Sequence, residues 1–231
     1  MNIRGLQKLT LLDFPDRLAC TVFTNGCNFR CPFCHNASLV LYHAPAVISV
    51  NELIDFLKSR VGRLDGVCFT GGEPLLQSDL ADVMRRIKEL GFEIKLDTNG
   101  SSPARMIPLV EEGLVDYIAM DIKNCPARYA ETAGLPMIDL SPILESVQYL
   151  LSDQVAYEFR TTLVQQFHTK EDMQAIGEWL KGAKQYYLQT FKDSGDLIRQ
   201  DLGLCACSPE QQEEFLAIVR QTIPAAQIRG E

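Results

Sequence analysis

Three cysteines near the start of the chain have the residue type and spacing of a metal site. Cys27, Cys31 and Cys34 form a CxxxCxxC run. Thiolates with such short gaps can surround one compact soft-metal centre, either an iron–sulfur cluster or a zinc ion. A structural zinc ion or a fully ligated four-iron cluster takes four protein ligands, and no fourth cysteine lies nearby. Two hypotheses follow: His35 completes a small structural zinc site, or one iron stays open to another ligand.

The other five cysteines do not share this spacing. We expect two of them to be small core residues and three to be free thiols, since no fourth ligand accompanies the later pair. In chain order they are Cys20 and Cys68, then Cys125, Cys205 and Cys207. The start of the chain shows no export signal, so we expect a cytoplasmic protein without disulfides.

Composition excludes several classes of protein. The chain has 231 residues, 46% hydrophobic and 23% charged, which is typical of a globular protein and excludes disorder. A net charge of −8 argues against a nucleic-acid partner, and no apolar run is long enough to span a membrane. We predict a single domain over 1–231, with 1–18 as an N-terminal extension and 203–231 as a C-terminal helical tail.

Apolar, β-rich runs alternate with helical patterns along the chain. The predicted strands are 19–23, 66–70, 93–98, 117–122, 157–163 and 186–190. The predicted helices are 50–62, 77–90, 103–113, 141–152, 171–183 and 209–221. This order favours an α/β fold with a parallel sheet and outer helices, but six strands are too few to close an eight-stranded barrel. Periodicity alone leaves open a doubly wound sheet or an open partial barrel.

Polar and glycine-rich residues follow the predicted strands where each one ends. In both candidate folds, ligands bind at the carboxyl ends of the strands, so we expect these residues to converge there. They are Thr24 to Cys27, Gly71 to Pro74, Asn99 and Gly100, Asp121 and Lys123, Arg160, and Gln189.

Two of these motifs resemble the radical S-adenosylmethionine enzymes. They are the cysteine run with an aromatic residue before its last cysteine, and Gly71-Gly72-Glu73-Pro74. The resemblance implies an open partial (β/α)6 TIM-type barrel and a [4Fe–4S] cluster held by the three cysteines. It also implies that S-adenosylmethionine chelates the open iron through its amino and carboxylate groups, and that an electron from the cluster yields a 5′-deoxyadenosyl radical.

The same resemblance assigns contacts with S-adenosylmethionine. Phe33 would pack against the adenine, with the backbone of His35 and Asn36 at the edge of the ring. The Gly71-Gly72 pair would let the backbone approach the methionyl amine, because a side chain there would obstruct it. Glu73 would accept a charge-assisted hydrogen bond from that amine.

A closer resemblance is to the glycyl-radical-enzyme activating enzymes. It is carried by CNFRCPFCHN over 27–36, by Asp97-Thr98-Asn99-Gly100 and by Asp121-Ile122-Lys123. It implies that Asp121 faces the ribose or a monovalent cation, with Asp97 as the second acid of that cation site. It implies that Lys123 pairs with the methionyl carboxylate. Arg160 lies in a β-rich run and would need a partner if buried, either Asp121 or the nucleoside. We predict that the catalytic set is Cys27, Cys31, Cys34 and Lys123.

The opening Leu-Leu-Asp-Phe-Pro over 11–15 and the Tyr-Leu-Gln near the sixth predicted strand most resemble the activating proteins of anaerobic ribonucleoside-triphosphate reductase. The resemblance implies removal of a glycine Cα hydrogen in a large glycyl radical enzyme. It also implies an electron donor of the flavodoxin or ferredoxin type, which would need a basic patch that could include Arg17 or Arg30. Gln189 stands where relatives often carry histidine, while His43 and His168 lie outside the motifs and are predicted to be loop residues.

Two alternatives stay open. A radical S-adenosylmethionine enzyme could act on a small molecule or nucleotide, which predicts turnover without a protein partner. A structural zinc or electron-carrier protein could use the same three cysteines with His35, which predicts colourless zinc instead of a brown iron cluster.

Overall fold

The computed structural model describes residues 1–42, 44–193 and 195–230, so the prediction for His43 lies outside the described residues. Its strands form one eight-stranded sheet whose spatial order follows the chain. The first strand is antiparallel to the second, and the remaining neighbours are parallel. No pairing joins the first strand to the last within the described ranges, so the sheet is an open partial barrel. The predicted fold class is confirmed.

All six predicted strands are present, with ends that differ by at most one residue. In chain order the eight strands are β1 (Ile3–Thr10), β2 (Ala19–Thr24), β3 (Gly66–Gly71), β4 (Glu93–Thr98), β5 (Tyr117–Asp121), β6 (Ala156–Leu163), β7 (Tyr186–Thr190) and β8 (Gln227–Arg229).

The two edge strands, β1 and β8, were not predicted from the sequence. β1 lies in the predicted N-terminal extension, and its residues 7–9 are exposed, so it lacks the apolar run of a covered strand. β8 lies in the predicted helical tail and has only three residues, too few for a periodic signal. Both segments are therefore part of the sheet.

The six predicted helices are also present, and two further short helices were not predicted. The helices are α1 (Ala37–Leu41), α2 (Val50–Lys58), α3 (Leu80–Lys88), α4 (Pro103–Glu111), α5 (Tyr129–Thr132), α6 (Ser141–Leu151), α7 (Lys170–Trp179) and α8 (Pro209–Val219). Helix α8 begins as its sequence indicates, because Ser208 accepts a hydrogen bond from the Gln211 backbone N–H and proline occupies the first turn.

The apolar core lies between the sheet and the outer helices. Helix α2, for example, buries Leu53, Ile54 and Leu57 on one face. Cys20 and Cys68 are fully buried, as predicted for small core residues. The inner face of β4 to β6 also buries charged side chains, those of Lys95 and Glu158. No helix of the described chain is both long and apolar enough to cross a membrane.

Candidate functional site

A cavity of about 330 Å³ lies at the carboxyl ends of the parallel strands. It is lined by all but one of the residues predicted to hold the cluster and S-adenosylmethionine: Cys27, Cys31, Phe33, Cys34, His35, Asn36, Gly71, Gly72, Asp97, Asp121, Lys123 and Arg160. Glu73 is the exception. Other residues line the cavity as well: Gln7, Asp13, Thr21, Phe29, Thr98, Asn99 and Thr162. Gln189 also lines the cavity, as its place at a strand end indicates.

The three cysteines of the run are free thiols that lie close enough to influence one another electrostatically. Burial, with a smaller contribution from charge on Cys34 and Cys27, raises the pKa of Cys31 to about 12. Burial likewise raises the pKa of Cys27 to about 11. The Lys123 ammonium opposes both shifts, so it favours the thiolate form that a metal ion binds.

A single metal ion and a four-iron cluster make different demands on the spacing of three thiolates. One tetrahedral zinc ion with Zn–S bonds of about 2.3 Å would bring its sulfurs within about 4 Å of each other. No group of three or more His, Cys, Asp or Glu side chains in the described ranges is placed to hold one metal ion. A four-iron cluster takes each thiolate on a different iron and so needs a wider spacing. His35, the fourth ligand of the zinc hypothesis, is an exposed residue.

The cysteine loop is held in place by the chain around α5. The Arg30 backbone N–H donates to the Ala133 carbonyl at 2.9 Å, and the Phe29 ring meets Tyr129 edge-on. A Cβ on Gly134, whose φ is +69°, would overlap the Arg30 carbonyl oxygen. No sequence signal pointed to this contact, because it joins segments about one hundred residues apart.

The two glycines after β3 are explained by contacts within the chain. Gly71 has a φ of +110°, and a Cβ there would collide with the backbone of Thr24. A Cβ on Gly72 would overlap the Gly26 carbonyl oxygen, whose partner is the Glu73 backbone N–H at 2.7 Å. The two glycines thus let the β3 loop pack against the backbone of Thr24 and Gly26, and the predicted approach to the methionyl amine stays a prediction.

The Glu73 side chain is not among the residues that line the cavity, and its predicted hydrogen bond to the methionyl amine stays a prediction. Glu73 is 1% exposed, and its oxygens accept from the Leu75 N–H at 3.1 Å, the Thr98 hydroxyl at 2.9 Å and the Asn99 N–H at 2.7 Å. Burial raises the pKa of Glu73 to about 7, although these three donors oppose the shift. The carboxylate thus holds the end of β4 against the β3 loop.

Charged side chains form a buried network on the inner face of the barrel. Arg160 donates to Asp121 at 2.9 Å and to Asp97 at 3.4 Å, which confirms that its burial is matched by a carboxylate partner. Lys123 pairs with Asp121 at 3.0 Å, and Lys95 pairs with Asp97. Burial alone would raise the pKa of Asp121, but the charges of Arg160 and Lys123 outweigh it and hold the pKa well below its usual range. Both aspartates are therefore anionic.

Aromatic and amide side chains border the cysteines. Phe33 is buried, lines the cavity and packs against Phe167 with ring centroids 5.9 Å apart. The Asn36 amide donates to the Gly71 carbonyl at 3.4 Å and so links the cysteine loop to the β3 loop. These positions are compatible with the predicted contacts to adenine.

Other sequence-based expectations are corrected here. Arg17 pairs with Glu93 at 2.9 Å at the amino ends of the strands, far from the cysteine loop, whereas the Arg30 guanidinium donates to the Cys27 carbonyl at 2.6 Å. The two arginines therefore do not form one patch. His168 is not an ordinary loop residue, because it is buried and its ring Nε2 lies 3.0 Å from the Lys123 carbonyl oxygen.

Fold and site together define an enzyme-like α/β barrel, open along one side, with a three-thiol loop after its first parallel strand. Comparison with protein families gives the particular family: the model described as "Radical SAM superfamily" matches residues 21–180. The chain belongs to the radical SAM superfamily, whose members use a [4Fe–4S] cluster and S-adenosylmethionine.

Individual relatives agree with this assignment. A Methanocaldococcus jannaschii protein named as a glycyl-radical enzyme activating enzyme is 33% identical over 203 residues, 84% of this chain and 82% of that protein. The 7-carboxy-7-deazaguanine synthase of Thermoplasma acidophilum is 27% identical over 148 residues, 63% of this chain and 66% of that protein. A radical SAM methyltransferase from Sphaerobacter thermophilus shares the fold with a TM-score of 0.73 at 17% identity, covering 94% of this chain and 67% of its own.

Proposed function

We propose that this chain is a radical S-adenosylmethionine activating enzyme that removes a Cα hydrogen from a glycine of a partner enzyme. The observation that carries the proposal is the convergence of the cysteine run, Asp97 and the Asp121 to Lys123 segment on one cavity. These are the motifs that resemble activating enzymes, and the M. jannaschii relative carries that name over most of both chains.

Cys27, Cys31 and Cys34 would hold the cluster, and the missing fourth thiolate would leave one iron for S-adenosylmethionine. The cluster would supply the one electron for reductive cleavage of the sulfonium bond to methionine, and the deoxyadenosyl group so released would take the glycine Cα hydrogen and end as 5′-deoxyadenosine. The protein's own contribution is to bind, orient and balance charge around this chemistry.

Lys123 is suited to pair with the methionyl carboxylate, because it lines the cavity and its ammonium influences the Cys31 thiol. The buried network holds three cations, Lys95, Lys123 and Arg160. They lie among three carboxylates, those of Asp97, Asp121 and Glu158, the last of which also pairs with Arg229. Phe33, which lines the cavity and packs against Phe167, is suited to the adenine.

The monovalent cation implied by the resemblance would share its two carboxylate ligands with side chains of this protein. Both of its proposed ligands, Asp97 and Asp121, are already paired with Arg160, and each has a lysine as well. We therefore propose that Arg160 and the two lysines supply the counter-charge in this chain.

The finer identity of the partner rests on sequence resemblance. We propose a large anaerobic glycyl radical enzyme, specifically the anaerobic ribonucleoside-triphosphate reductase, and a flavodoxin or ferredoxin as the electron donor. An alternative is a radical enzyme that acts on a small molecule or nucleotide, which the similarity to the deazaguanine synthase favours.

Electron paramagnetic resonance tests the proposal. The protein is reconstituted anaerobically with iron and sulfide, reduced, and mixed with S-adenosylmethionine and the partner reductase. We expect a glycyl radical signal and an equal yield of 5′-deoxyadenosine. A partner whose radical-site glycine is replaced by alanine is the matched control and should give no such signal. Formation of 5′-deoxyadenosine without a protein radical, in the presence of the intact partner, would contradict the proposal and favour the small-molecule alternative.

A further inference from the structure

The side-chain amide of Asn99 lies against the sulfur of Cys27. We propose that Asn99 is a positioning residue that sets the reduction potential of the cluster by donating an N–H···S hydrogen bond to this ligand. The inference depends on the cluster that the family implies and requires neither the partner nor the proposed reaction.

Three contacts fix the orientation of this amide. Asn99 is 6% exposed, and its Oδ1 accepts the Ser101 backbone N–H at 3.0 Å. Its Nδ2 donates to the Asn28 Oδ1 at 2.9 Å and lies 3.8 Å from the Cys27 Sγ. Rotating the amide by half a turn would lose the Ser101 bond and place two oxygens against each other, so the N–H side must face the sulfur.

The backbone of Asn99 is held just as firmly. Its N–H donates to the buried Glu73 carboxylate at 2.7 Å, and the same carboxylate accepts from the preceding Thr98 hydroxyl. Glu73 follows directly on the glycine pair that packs against the cysteine loop. This gives the buried carboxylate a function: it fixes the distance between the end of β4 and the first cysteine of the run.

Cys27 receives a second donor from the backbone, because the Phe29 N–H lies 3.3 Å from its sulfur. Of these two donors, only the Asn99 amide belongs to a side chain and can be removed by substitution. Reduction adds negative charge to the cluster and its thiolates, and an N–H donor stabilises that charge. Loss of the Asn99 donor should therefore make reduction harder and lower the midpoint potential.

The experiment measures that potential on the reconstituted protein, without S-adenosylmethionine or a partner. Wild type, Asn99→Ala, Asn99→Asp and Ser102→Ala are loaded anaerobically, their iron content is determined, and each is titrated potentiometrically with electron paramagnetic resonance detection. Asn99→Asp keeps an acceptor for the Ser101 N–H but removes the donor and brings in a carboxylate. Ser102→Ala is the matched control, because this neighbouring side chain makes no capping hydrogen bond.

We expect Asn99→Ala to reduce the equilibrium constant for reduction about tenfold, a fall of about 59 mV for one electron. The midpoint potential should fall further in Asn99→Asp, and that of Ser102→Ala should match wild type. Wild-type potentials in both Asn99 variants at full iron content would overturn the proposal. Failure of both variants to bind iron would also overturn it, because Asn99 would then be a structural residue of the loop.

Discussion

Replacing Cys31 by alanine should abolish binding of the iron–sulfur cluster and, with it, reductive cleavage of S-adenosylmethionine. Cys31 is the middle thiol of the run and is 7% exposed, and the other two thiols of the run are proposed ligands themselves. Two thiolates cannot hold a four-iron cluster that normally has at least three. Iron per chain should fall from about four to well under one, as measured by metal analysis and by loss of the cluster absorbance.

Cys205→Ala is the control for that experiment. Cys205 is an exposed free thiol whose Sγ contacts the Gly203 carbonyl oxygen. Its substitution should leave iron content and 5′-deoxyadenosine yield unchanged. A full cluster in the Cys31 variant, or loss of the cluster in the Cys205 variant, would show that the cluster ligands have been misassigned.

Replacing Arg160 by methionine should give the largest loss of stability of any single substitution considered. The guanidinium is 13% exposed and lies between the Asp97 and Asp121 carboxylates, whose pKa values it lowers. Without Arg160 each aspartate keeps only its lysine, and loss of one partner from a buried ionic pair typically costs about 3–5 kcal/mol. Denaturant unfolding of the variant and of wild type, both in the same cluster state, measures the difference. The affinity for S-adenosylmethionine should fall as well, since the aspartates would no longer be held at the cavity wall.

Arg85→Met is matched to this substitution, because Arg85 also contacts two carboxylates, those of Asp82 and Glu112. Arg85 is 45% exposed, and exposed ion pairs contribute little to stability because solvent screens them. Equal losses in the two variants would mean that the Arg160 network stabilises the protein no more than a surface pair does.

The central strands could be predicted because they are covered on both faces. Strands β3 and β5, for example, are continuous apolar runs, and such runs bounded by turn residues are read directly from sequence. The edge strands β1 and β8 could not be predicted, since a partly exposed strand and a three-residue strand have no such pattern. Their pairing is decided by neighbours elsewhere in the chain.

The site was predictable for a related reason. In a parallel sheet the strand ends meet at one edge, so Cys27, Asp97 and Lys123 could be placed together from their positions after strands. The hydrogen bonds of the buried Glu73 carboxylate and the buried ion pair of Lys95 with Asp97 could not be predicted from sequence. Both depend on which polar groups remain unsatisfied once the barrel has formed.

Hyperfine spectroscopy of the reduced cluster is the most direct test of the three-thiol arrangement. S-adenosylmethionine labelled at its methionyl nitrogen and carboxylate oxygens is added to the reconstituted protein, and the coupling of these nuclei to the cluster spin is measured. We expect strong coupling to both groups, since they would bind the iron that Cys27, Cys31 and Cys34 leave open. Coupling to a protein nitrogen such as that of His35, with none from the labelled molecule, would contradict the account.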